Sequence, residues 1–97
     1  MHEQNMSVTV HLSGHLKAFS SGELEIALPG EYKTVSDVLD SLWQRHLALR
    51  DRILTEQGDI RQHVNIYLGS KDIRRMDGLV TPLTSNEVHI FNAVSGG

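Results

Sequence analysis

The sequence predicts an α+β domain, one β-sheet with a single main helix laid across one face. Three observations carry this expectation. Two runs alternate apolar and polar residues before position 30, one capped amphipathic stretch follows, and further alternating runs fill the C-terminal third. At 97 residues, size scaling puts about two thirds of the extended chain's surface inside the fold, enough for one modest core.

In the first run Val8, Val10 and Leu12 alternate with Thr9 and His11, which is the period of a half-buried strand. Ser13-Gly14 and Ser20-Ser21-Gly22 are turn signals. A second strand is expected over 23–28, with Leu24, Ile26 and Leu28 on one face and Pro29-Gly30 ending it. The two runs form a hairpin with a long connection. Thr34 and Asp37 have the spacing of a capping box. Val35, Val38, Leu39, Leu42 and Trp43 then follow at helical spacing, so a helix begins near Val35 and its amphipathic part ends near His46. Leu47, Leu49, Ile53 and Leu54 either prolong it or form a second short helix. Val64, Ile66 and Leu68 mark a third strand, Ile73 a short fourth, and Val88-His89-Ile90-Phe91 a last strand apolar enough to be central. The domain therefore occupies residues 7–91, with loose tails at 1–6 and 92–97.

Several function classes are disfavoured. A net charge of -3 argues against nucleic acid as a partner. No apolar run approaches bilayer length, and Met1-His2-Glu3-Gln4-Asn5 is too polar for a secretory leader, so no membrane partner and a cytoplasmic location are expected. Nucleotide-binding glycine motifs are absent, so ATP binding by this chain is not expected. The chain has no cysteine and hence no thiolate metal site and no thiol nucleophile. Its six histidines (His2, His11, His15, His46, His63 and His89) lack the spacing of a structural zinc site, and no metal is expected. Lys71, Arg74 and Arg75 read as a solvated loop, with a docking patch as the alternative.

The last residues are more informative. Ala93-Val94-Ser95-Gly96-Gly97 follows the final strand with small residues and no charge. Side-chain-free glycines let a tail enter a narrow channel in a partner and adopt backbone angles closed to other residues. That design suits a terminal carboxylate that is itself the reactive group. A carboxylate becomes an acyl donor only when one oxygen is made a leaving group, as in an acyl-adenylate. The enzyme making it must be a separate chain.

The segment His63-Val64-Asn65-Ile66-Tyr67-Leu68, the loop to Asp77-Gly78-Leu79, the strand Val88-His89-Ile90-Phe91 and the Gly96-Gly97 tail resemble the ubiquitin-like sulfur-carrier proteins. That group includes the small subunit of molybdopterin synthase, the thiamine-pathway carrier ThiS and the cysteine-biosynthesis carrier. The resemblance spans the chain as an order of elements and is strongest from His63 onward. It is greatest to the cysteine-biosynthesis carrier.

The resemblance implies a β-grasp fold and a substrate protein with no active site of its own. It implies adenylation of Gly97 by a ubiquitin-activating-like adenylyltransferase that consumes ATP. A C-terminal thiocarboxylate then donates sulfur to a biosynthetic acceptor enzyme. The chain departs from the family by carrying Asn92-Ala93 where a proline often stands, and Thr84-Ser85-Asn86 in the turn before the last strand. Both departures bear on which partner it fits.

In a β-grasp sheet the last strand lies between the first and third. Val88 and Ile90 then face the helix, while His89 and Phe91 face away beside Asn65 and Tyr67. Phe91 is the expected docking residue for the activating enzyme, against a partly buried edge aromatic as the plainer reading. His89, Tyr67 and Val94 are further candidate contacts, and Gly96 with Gly97 form the reactive end. The competing readings are a small subunit of molybdopterin synthase, a protein modifier attached through Gly97, and an interaction domain whose Gly-Gly end is accidental.

Overall fold

A computed structural model describes residues 6–92. Five strands form one mixed sheet: β1 (Ser7–Leu12), β2 (Glu25–Pro29), β3 (Val64–Leu68), β4 (Lys71–Asp72) and β5 (Glu87–Asn92), in the order β2-β1-β5-β3-β4. The central pair β1 and β5 runs parallel, and the other pairs are antiparallel. Two helices, α1 (Val35–Arg45) and α2 (Ala48–Ile53), follow β2.

The period-2 pattern decides the faces. Val8, Val10 and Leu12 from β1, Ile26 and Leu28 from β2, Ile66 and Leu68 from β3, and Val88 and Ile90 from β5 are all buried. They pack in one cluster with Val35, Val38, Leu39, Leu42 and Trp43 of α1. The helix starts where its cap requires. Thr34 Oγ1 accepts from the Asp37 backbone N–H at 3.3 Å, and Asp37 Oδ2 accepts from the Thr34 N–H at 3.1 Å. An N-cap of this kind stabilises by about 1 kcal/mol. The segment after α1 resolves into a separate short helix. The chain breaks at His46 and Leu47, leaving Leu47 72% exposed, and restarts to bury Leu49 and Ile53 one turn apart.

Four expectations need correction. Leu24 is not in the second strand: pairing ends at Glu25, opposite His11, and the Leu24 side chain is 39% exposed. The strand instead runs on through Pro29, which an edge strand tolerates because the missing N–H costs it little. Ile73 lies just beyond β4, in a 3₁₀ turn over Ile73–Arg75, where it is fully buried. The Asp72 carboxylate starts that turn by accepting from the Arg74 N–H at 2.9 Å. The long hairpin connection contains a 3₁₀ helix over Gly14–Phe19 that lies against α2 and β5 and buries Leu16. Finally, Asn92 belongs to β5 and pairs with Val64, one residue past the expected end of the domain.

Candidate functional site: the open sheet face and the end of the last strand

The helices cover one face of the sheet. On the other, residues of the three inner strands stand half-exposed: Thr9 and His11 on β1, Asn65 and Tyr67 on β3, His89 and Phe91 on β5. Cross-strand register places Phe91 opposite Asn65 and His89 opposite Tyr67. Phe91 and Tyr67 are thus diagonal neighbours, and their rings meet at 5.3 Å between centroids with a 44° tilt. Because β5 is the central strand, Phe91 is not an edge aromatic, and it is half-buried against Tyr67.

Across the β1–β5 boundary, His11 lies directly opposite His89, and their rings stack at 4.5 Å and 11°. Glu87 sits two residues before His89 on the same face. Its Oε1 is 3.0 Å from His11 Nε2 and 3.9 Å from His89 Nε2. Sequence spacing gave no hint of this trio, since His11 and Glu87 are 76 positions apart. Only the parallel β1–β5 pairing brings them together, and alternation on β5 could have flagged Glu87 once that pairing was assumed.

On the same side, Arg74 is tied into the fold. Its guanidinium donates to Arg61 O at 2.8 Å and to Asn65 Oδ1 at 3.3 Å. It therefore braces β3 rather than standing free in a solvated loop.

At the end of β5 a groove opens beside Asn92, lined in part by Phe19, Arg52, Arg61 and His63. Arg52 lies over the Phe19 ring at 4.6 Å, which keeps the cation beside the strand end. Sequence reading missed these residues because they come from a 3₁₀ helix, the short helix α2 and the loop before β3, which only the fold brings together. Of the expected site residues, Phe91, His89 and Tyr67 share one face and lead into this strand end. Val94, Gly96 and Gly97 lie outside the described residues.

A mixed five-stranded sheet with parallel central strands, packed on one main helix, defines a ubiquitin-like β-grasp protein. No protein-family model matches the chain. It is 28% identical over 95 residues to sulfur carrier protein CysO of Mycobacterium tuberculosis, covering 95% of this chain and all of that one. It is 35% identical over 65 residues to small archaeal modifier protein 3 of Haloferax volcanii, covering 66% of this chain and 70% of that one. Among solved structures it resembles the Amycolatopsis orientalis BexX/CysO complex, with TM-score 0.80 and 26% identity over 93% of this chain and 99% of that one. The chain belongs to the family of ubiquitin-like sulfur carriers and small protein modifiers. Among the described residues no helix is long and apolar enough to cross a membrane.

Proposed function

We propose that this chain carries sulfur on the carboxylate of Gly97 and delivers it in a biosynthetic reaction, with a cysteine-type pathway favoured. The chemistry belongs to a partner adenylyltransferase. A carboxylate oxygen of Gly97 attacks the α-phosphorus of ATP, and pyrophosphate leaves. A sulfur nucleophile then attacks the acyl carbon of the adenylate, and AMP leaves. The resulting thiocarboxylate gives its sulfur to an acceptor enzyme. ATP is thus consumed by the partner, and this chain acts as substrate, in the cytoplasm where the nucleotide is made.

The observation that carries this reading is the full-length likeness to a protein named as a sulfur carrier, combined with how the fold presents its last strand. β5 is held on both sides as far as Ile90, by β1 and β3, and by β3 alone to the Asn92–Val64 pair. The residues 93–97 beyond it reach at most about 18 Å when fully extended. A partner that binds that tail must therefore sit against the strand end and the adjoining sheet face. Phe91, Tyr67 and His89 are the docking contacts there, and Val94 lies on the tail itself. An aromatic pair beside a reactive end has the character of an interface anchor. The BexX/CysO complex supports the expectation of a partner protein.

A second reading has its own support in the 35% identity to a protein named as a modifier. In that case the Gly97 acyl group ends on a lysine amine instead of on sulfur. Incubating the chain with cognate activating enzyme, ATP, a sulfide source and cell extract separates the two. Sulfur carriage predicts a free chain with one oxygen replaced by sulfur. Modification predicts isopeptide-linked conjugates. Neither product would sink both readings.

A further inference from the structure

We propose that His11, Glu87 and His89 form a binding site for a divalent transition-metal ion, Zn²⁺ in the first instance, on the open face of the sheet. This departs from the expectation of no metal drawn from sequence spacing. It stands independently of whether the face docks an enzyme.

The argument begins with the donor set. One ring nitrogen from each imidazole and one carboxylate oxygen all lie within 4.8 Å of one another. With zinc–nitrogen and zinc–oxygen bonds near 2.0–2.2 Å, tetrahedral ligands sit about 3.4 Å apart. The two separations from Glu87 Oε1, 3.0 Å to His11 and 3.9 Å to His89, bracket that value. Two histidines and a carboxylate are a recurrent zinc set that leaves the fourth position for water. Imidazole donors favour zinc and its neighbours over magnesium or calcium, which prefer oxygen.

The backbone supports the site as well. Glu87 and His89 are on β5 and His11 on β1, in the adjacent parallel pair with register Thr9↔Glu87 and His11↔His89. The sheet therefore fixes all three Cα positions, and only side-chain torsions remain to adjust. As things stand, one carboxylate oxygen serves two imidazoles. His11 is within hydrogen-bond distance, whereas His89 at 3.9 Å is not. A cation bonded to all three donors resolves that competition. Closure requires the rings to fan apart from their 11° stack, because near-parallel rings send their lone pairs in parallel directions. The sites are accessible: the His11 and His89 side chains are 31% and 39% exposed and Glu87 53%.

The test uses the untagged full chain titrated with zinc chloride, read by calorimetry and by imidazole NMR. One zinc per chain is expected, with the rings of His11 and His89 shifting together and those of His15, His46 and His63 unmoved. His11→Gln and His89→Gln should each weaken binding by more than the roughly 10–100-fold that loss of an outer-shell partner costs. A thermal melt of each variant checks that the fold is kept, and excess Mg²⁺ should not displace the zinc. If a chain carrying both His11→Gln and His89→Gln binds zinc as well as the parent chain, or if the shifts fall on His2, His15, His46 or His63 instead, the site is wrong.

Discussion

Replacing Ile90 by alanine tests the assignment of faces, and Phe91→Ala is its partner experiment on the next residue of the same strand. Ile90 is 1% exposed, opposite Leu12 on one side and Ile66 on the other, at the middle of the sheet. Truncating a buried isoleucine to alanine costs about 2–5 kcal/mol, from lost burial and the cavity left behind. For a domain of this size each kcal/mol moves Tm by about 4–8 °C, so Ile90→Ala should lower it by at least 8 °C or so. Phe91 faces the other way and is half-buried, with Tyr67 as its ring neighbour at 5.3 Å. An aromatic pair contributes about 0.5–1.5 kcal/mol beyond its area. Phe91→Ala should therefore cost about 1–2 kcal/mol, well short of the 3–5 kcal/mol typical of a fully buried phenylalanine. Its larger effect should be on association with the activating enzyme. Differential scanning calorimetry and a binding titration on both variants read these outcomes. Should Phe91→Ala melt the domain as far as Ile90→Ala, the faces are inverted and the docking role loses its basis.

Two further perturbations follow from particular hydrogen bonds. Thr34→Ala removes the side chain that caps α1 and should cost about 1 kcal/mol in urea unfolding, with Thr34→Ser restoring most of it. Thr81 is fully buried, and its hydroxyl donates to Gly78 O at 2.6 Å while accepting from the Asp77 N–H at 3.0 Å. Thr81→Val keeps the shape but strands the Asp77 N–H, while Gly78 O keeps its bond from the backbone N–H of residue 81 at 3.1 Å, so a loss of about 1–3 kcal/mol is expected by chemical denaturation; an unchanged midpoint would show that solvent replaces the lost bond.

Periodicity made the regular parts of this fold legible. The alternation of Val8, Val10 and Leu12, of Val64, Ile66 and Leu68, and of Val88 and Ile90 names the core face of three strands, and all eight residues are buried. Thr34 and Asp37 located the helix start to the residue. Short elements escaped for a physical reason. β4 has two residues and the 3₁₀ turn at Ile73 three, too few for any periodic pattern to repeat. Ile73 was correctly apolar but gave no sign of whether it lay in a strand or a turn. Leu24 failed differently: its alternation is perfect, yet strand pairing stops one residue short of it. The chemistry of the open face was the least legible. Tyr67 and Phe91 could be paired once the sheet order was assumed. The trio of His11, Glu87 and His89 needs the parallel β1–β5 register, a contact between the two ends of the chain that no local window contains.

The central claim concerns one atom pair at the end of the chain. The full-length protein and a variant lacking Gly97 should be incubated with cognate activating enzyme, ATP and a sulfide source, then digested and mapped by mass spectrometry. The account predicts that sulfur replaces one oxygen on the peptide ending in Gly96-Gly97 and on no other peptide, and that the shortened chain remains unmodified. Sulfur on an internal peptide, or an exchange that survives removal of Gly97, would contradict it.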